Sequence, residues 1–360
     1  MYGRDTGVLA ACWAAGGSVS ASVDQEIPRP VMADVARLAG VSHQTVSRVL
    51  NGHPHVSPST RASVLAAIRH LGYRPNTAAR ALVTGRTNVL GVISFDSVLY
   101  GPASMLYGIE RAARPGYFVA VASLPSLDRA SLTGAVERFL GQAVAGIIVI
   151  APETGVVEAL AGLSVGVPLV AVDCGGGVPM SSVKIDNVAG AVLATRHLLD
   201  LGHRTVHHIA GPDSWNDARD RVDGWRQALR AAGAPEPADL PRGDWSPQSG
   251  YEAGRQLAAR PDVTAVFCAN DPMALGFLRA AAEAGRRVPQ DISVVGFDDV
   301  PEAAYFSPPL TTVRQDFGAL GERALRLLMS QITAGGEAPP APPVVPELIV
   351  RSSSAAPAPR

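Results

Sequence analysis

His43, Gln44, Ser47 and Arg48 fall within one short helical stretch whose apolar residues, Val46 and Val49, mark its opposite side. An imidazole, an amide, a hydroxyl and a guanidinium on one exposed face offer hydrogen bonds rather than a catalytic order. They are groups suited to a DNA groove. A three-helix bundle with no ligand is the alternative, and the hydrogen-bonding character of all four exposed residues favours DNA. Charge agrees. Residues 29–87 carry eight arginines against one acid, Asp34, a formal charge of +7, while the rest of the chain carries −8. A basic head on an acidic body is the electrostatic footprint of a polyanion partner.

Other chemistry-bearing groups do not assemble into sites. His203, His207 and His208 surround an apolar run, with no carboxylate or thiol at ligand spacing, so no metal is expected. Gly175-Gly176-Gly177 lacks the Lys-Ser/Thr that completes a phosphate loop. No nucleophile elbow is present. No cofactor and no enzymatic activity are therefore expected. Cys12, Cys174 and Cys268 share no ligand spacing and form no even disulfide framework, which suits a reducing cytoplasm.

The elements that must hold the polar face can be read locally. Val35, Ala36 and Ala39 give a first helix its apolar side. Gly40 stands where the turn needs positive φ, and Ser42 is a good cap for the second helix. This pattern predicts a helix-turn-helix with its second helix offered to a major groove. Ser57-Pro58 opens a third helix, with Val64, Ile68 and Leu71 on its inner face and Gly72 as its stop. Pro75, Asn76 and Gly85 mark a linker over 73–88. Beyond it, apolar runs at 89–93, 118–122, 146–150, 169–172, 205–209, 265–268 and 293–297 alternate with helical stretches, which predicts parallel sheets covered on both faces. Such sheets bind ligands beyond the carboxyl ends of their strands. The Pro/Ala/Ser-rich end is expected to be mostly disordered, with Glu347–Val350 able to supply an edge strand.

Val35-Ala36-Arg37-Leu38-Ala39-Gly40-Val41-Ser42, Thr45-Val46-Ser47-Arg48-Val49-Leu50-Asn51-Gly52, Tyr73-Arg74-Pro75-Asn76 and Ala79-Arg80-Ala81-Leu82 resemble the lactose/galactose repressor family. The likeness runs from about Pro30 to Arg351. It implies an all-α helix-turn-helix head and an α/β body like the periplasmic sugar-binding proteins, built of two Rossmann-like subdomains. By that resemblance His43, Gln44 and Arg48 read base edges, where glutamine suits adenine and arginine suits guanine. Ser42, Thr45, Ser47, Asn51 and Arg80 would meet the DNA backbone. Asn76–Leu82 would be a hinge helix, with Leu82 wedged into the minor groove. The expected partners are a pseudo-palindromic operator, a second copy of the chain and a small effector, with no membrane.

The same resemblance places an effector between the lobes, near crossovers at 185–188, 313–316 and 344–347. It assigns Arg219 to sugar hydroxyls, with Asn270, Asp298, Trp245, Gln315 and, from the first lobe, Asp173. Carboxylate, amide and guanidinium partners with an aromatic platform are what a polyol with apolar C–H faces requires. Plainer roles compete: a loop cap for Asp298, a helix cap for Asn270, core for Trp245. Phe95 and Asp96 depart from the family pattern: Phe95 can stack on a ring or fill space, and Asp96 can take an extra hydroxyl. A purine effector on the same fold, or an exported sugar-binding protein anchored at Cys12, are the other readings; the second has no use for residues 31–88.

The expected organisation is an extension or misassigned start over 1–29, the head over 30–73, hinge and linker over 74–88, the two-lobed body over 89–351 and a disordered tail over 352–360. The expected location is the cytoplasm.

Overall fold

The computed structural model describes residues 30–50, 52–74, 87–95, 98–126, 128–161, 165–173, 181–334 and 341–358. The chain divides into two compact units, Met1–Thr77 and Ala78–Arg360.

In the first unit, α1 (Met32–Ala39), α2 (His43–Leu50) and α3 (Pro58–Leu71) surround Val35, Ala36, Val46, Val49, Val64, Ala67 and Tyr73. Gly40 ends α1 at φ 65°, in the left-handed region that glycine reaches without a Cβ penalty. The Ser42 Oγ accepts from the Thr45 amide at 3.2 Å, which caps α2. Ser57 does the same for α3 through Thr60, with Pro58 at the first helical position.

The second unit holds two parallel-dominated sheets. The first runs β2 (Phe118–Leu124), β1 (Val89–Phe95), β3 (Gly146–Ile150), β4 (Leu169–Val172) and β5 (Ser182–Val183), all parallel. Helices α4 (Tyr100–Ala113), α5 (Arg129–Gly141) and α6 (Val156–Ala161) follow β1, β2 and β3. The second runs β10 (Glu347–Ile349), β9 (Thr311–Arg314), β8 (Ser293–Asp298), β7 (Ala265–Cys268) and β6 (His207–Ile209); only β10 is antiparallel. Its helices are α7 (Asn187–Asp200), α8 (Asn216–Ala231), α9 (Pro247–Ala258) and α10 (Asp271–Glu283). β3 and β7 are buried along their whole length, as strands covered on both faces must be.

The chain leaves the first lobe after β5. It returns through β9 into α11 (Phe317–Ala334), which packs beside α4 on the first sheet. The bridge between Ile185 and Val344 lies where two of the expected crossovers meet.

The end of the chain corrects an expectation. Ser353, Ser354 and Ala355 are bonded to the second lobe rather than disordered. Ser353 is fully buried, and its Oγ donates to the Val294 carbonyl at 2.6 Å and accepts from the Thr311 amide at 2.8 Å. Ser354 meets His197 and Thr311, and the Ala355 amide donates to Ser293. Small hydroxyl residues satisfy backbone groups of β8 and β9 here.

Candidate functional site

The head presents His43, Gln44 and Arg48 as exposed side chains on α2, opposite the buried Val46 and Val49. Thr45 is partly buried, its hydroxyl 2.9 Å from that of Ser42, so these two are tied to the cap of the helix. Ser47 is partly buried on the same helix. Asn51, Arg80, Leu82 and Asp96, with the hinge segment and the amino-terminal extension, lie outside the described residues.

In the body, a cavity of about 640 Å³ opens between the lobes. Its polar wall is Asp217, Arg221, Asn270, Asp298 and Gln315; Trp215, Trp245, Tyr100, Phe306, Leu99 and Pro102 give it an apolar face. The volume is within the usual range for small-molecule sites. Asp298 ends β8, and Asn270 follows β7, so the carboxyl ends of the strands supply the polar groups.

The wall is a connected network. Arg221 Nε donates to Asn187 Oδ1 at 2.9 Å, and its Nη1 donates to the Ala269 carbonyl. Its Nη2 stands 3.6 Å from Asp298 and 3.9 Å from Asp217. The guanidinium also lies 3.9 Å from the centre of the Phe297 ring. Gln315 Nε2 donates to Asp298 Oδ1 at 2.6 Å. Burial pushes the Asp298 carboxyl up to about 7, against the pull of Arg221 and with a further push from Asp217.

Asn270 caps α10, accepting from the Met273 amide at 2.9 Å, and its Nδ2 donates to the Trp245 carbonyl at 3.1 Å. The capping and site roles therefore coincide in one side chain. That bond helps hold Trp245 at φ 72°. Trp215 meets the Trp245 ring edge-on at 5.5 Å. Asp173, Trp245, Asp298 and Asp299 all have positive φ, a cost of about 1–3 kcal/mol each that persists where surrounding structure fixes the chain. Among the described residues, Trp245 Nε1 and Gln315 Oε1 are buried and unpartnered, one donor and one acceptor on the cavity wall.

Arg219 is a correction. Its side chain is exposed and outside the cavity wall; Arg221 occupies the cleft. A helix turns about 100° per residue, so positions two apart point to nearly opposite sides. Ala218, Val222 and Trp225 set the inward face of α8, and Arg221 lies on it, four residues from both Asp217 and Trp225. That periodicity was the available signal for both Arg221 and Asp217. Phe95 packs on Trp215 at 6.2 Å and fills space rather than lining the cavity. Asp173 is buried beside Asp217, behind the wall. Trp215, Tyr100 and Phe306 also escaped the sequence reading.

The model of bacterial regulatory proteins of the lacI family matches residues 31–76, and that of the periplasmic binding protein-like domain matches 195–354. The chain is 37% identical over 345 residues to the HTH-type transcriptional regulator CelR of Thermobifida fusca, covering 90% of this chain and 98% of CelR. The chain belongs to the lacI family. Among solved structures, the lac repressor dimer bound to operator and the anti-inducer ONPF aligns at TM-score 0.79 and 34% identity, over 91% of this chain and 99% of that one. The CelR–cellobiose complex aligns at TM-score 0.67 and 36% identity, over 91% and 100%. This lacI-family chain is a DNA-binding transcriptional regulator with a two-lobed sensor body. Among the described residues, no helix is long and apolar enough to cross a membrane.

Proposed function

We propose that this regulator is a cytoplasmic, non-enzymatic repressor that binds a pseudo-palindromic operator as a homodimer and changes its operator affinity when a carbohydrate occupies the cleft. In this reading His43, Gln44 and Arg48 of each α2 read base edges. Ser42, Thr45, Ser47, Asn51 and Arg80 hold the backbone, and Leu82 enters the minor groove. Arg221, Asp298, Asn270 and Gln315 bind hydroxyls against Trp245 and Trp215.

The observation that carries the proposal is the cavity of about 640 Å³, whose wall combines an aromatic pair with a carboxylate–guanidinium–amide network. A polyol offers donors, acceptors and apolar faces to such a wall at once. Cellobiose, the ligand in the CelR complex, is the first compound to try.

Thermal shift against mono- and disaccharides and purines tests the effector. A ligand at 100 times its Kd adds about 2.7 kcal/mol of stability. A purine that stabilises the chain when no saccharide does would replace the carbohydrate. Operator retardation, with and without the stabilising compound, tests the response, because a ligand of equal affinity for both states shifts nothing.

A further inference from the structure

The segment that leaves β3 in the first lobe and the segment that enters α8 in the second are joined main chain to main chain. The Thr154 amide donates to the Ser214 carbonyl at 2.8 Å, and the Asn216 amide donates to the Pro152 carbonyl at 2.8 Å. Between these bonds Glu153 and Trp215 face each other as an antiparallel bridge. Asn216 Nδ2 also reaches the Ala151 carbonyl, at 3.5 Å. In the second sheet β6, which precedes this segment, stands at the edge opposite β9 and β10, the strands next to two of the crossovers. The contact is therefore set apart from the hinge.

Trp215 connects this bridge to the cavity. Its side chain is buried, lines the cleft and meets the Trp245 ring edge-on. Phe95, at the end of β1 in the first lobe, packs on the same ring at 6.2 Å. The second-lobe side is braced from behind. Arg242 Nη1 donates to the Gly211 carbonyl at 2.9 Å, and its Nη2 pairs with Asp213 at 2.8 Å, so residues 211–215 are tied to their own lobe.

We propose that residues 152–154 and 214–216 form a backbone clasp that holds the lobes closed over the cleft, with Asn216 as its positioning residue and Trp215 as the part of it that faces the cavity. The regulatory consequence, that an effector packed on Trp215 favours the clasped arrangement, rests on the cleft being the effector site.

The chemistry suits a reversible contact. On opening, its amides and carbonyls exchange each other for water, so no polar group is left unpaired in either state. Main-chain bonds also survive most substitutions, because every residue except proline carries the amide donor. Position 216 accepts proline. Asn216 is the first residue of α8, where proline is tolerated, and Trp215 before it is already extended at φ −99° and ψ 128°. Asn216→Pro thus deletes one bond of the clasp and sets a ring carbon against the Pro152 carbonyl, while α8 starts as before.

The test is amide hydrogen exchange on the full-length chain without ligand. Thr154 is the reporter, since it lies in the other lobe and its own donor is untouched by the substitution. Asn216→Pro should speed exchange at Thr154 by at least about tenfold. Asn216→Ala keeps the main-chain amide and should leave Thr154 within about twofold of the wild type. Small-angle scattering should show a larger radius for Asn216→Pro than for the wild type and Asn216→Ala. If Asn216→Pro does not fold, Thr154→Pro removes the other bond, and the Asn216 amide becomes the reporter. Equal exchange at Thr154 in the wild type and Asn216→Pro, or equal acceleration by proline and alanine, would overturn the proposal. So would one radius for all three proteins. Because no ligand is added, failure of every saccharide to bind removes the proposed effector and leaves this result standing.

Discussion

Gln315 and Asp298 are joined by a 2.6 Å hydrogen bond, from the amide nitrogen of one to the carboxylate of the other. Gln315 follows β9, where the chain crosses back towards α11, and Asp298 ends β8. The bond therefore ties a crossover to the polar wall. It also leaves Gln315 Oε1 buried and unpartnered.

Asp298→Asn keeps the shape of this group and removes its charge. Effector affinity should fall at least about tenfold, or ~1.4 kcal/mol, by calorimetry, with operator affinity in the absence of ligand nearly unchanged. The pH dependence has a definite sign. The carboxyl is raised from 3.8 to about 7, so the folded state holds its proton where the unfolded chain has lost it. The stability linked to this group is fully present below pH 3.8 and is lost as pH rises towards about 7. Melting temperatures across that window should therefore decline more steeply in the wild type than in Asp298→Asn. Parallel curves would show that Asp298 is ionised throughout.

Arg221→Ala and Arg219→Ala separate the two arginines of α8. Removing Arg221 leaves Asp217 and Asp298 buried without their cation, which should cost about 3–5 kcal/mol in denaturant unfolding and abolish effector binding. Arg219→Ala should stay within about 0.5 kcal/mol of the wild type, because the side chain is exposed. An effector-binding defect in a stable Arg219→Ala protein would restore Arg219 to the site.

Gly211→Ala tests the aromatic face. A Cβ at Gly211 would collide with the Trp245 ring. Overpacking of this kind costs about 1–3 kcal/mol. The variant should show altered tryptophan emission and weaker effector binding, with operator binding retained. Unchanged emission together with unchanged affinity would show that Trp245 is free to give way.

Arg48→Ala should cost about 1–3 kcal/mol on a specific operator and relax preference at one base pair per half-site, measured by competition among operator variants. An equal loss on all sequences would make Arg48 a phosphate contact instead. Wild-type affinity should fall steeply with salt, about −0.9 in log–log slope per phosphate neutralised.

The head was legible because its signals are local. Gly40, Ser42, Ser57 and Pro58 are turn and cap residues, and each governs the few residues beside it. The strands made of apolar runs were legible, and Gly146–Ile150, Leu169–Val172 and Ala265–Cys268 fall where those runs predict. β9 was not. Thr311 and Thr312 resemble loop residues until Ser354 and Asp271 are seen to take their hydroxyls. The error at Arg219 differs in kind, since the inward face of α8 was already written in Ala218, Val222 and Trp225.

The buried position of Ser353 bears on the order in which this protein can be made. Its hydroxyl serves the Val294 carbonyl, 59 positions earlier in the chain, and α11 must return to cover the first sheet. On an emerging chain, β1 to β5 lack α11, and β8 lacks the strap formed by residues 352–358. Neither lobe can be completed vectorially from its own contiguous stretch of sequence. Each lobe matures only once its late segment has left the ribosome: α11 for the first, and Ser353 with its neighbours for the second.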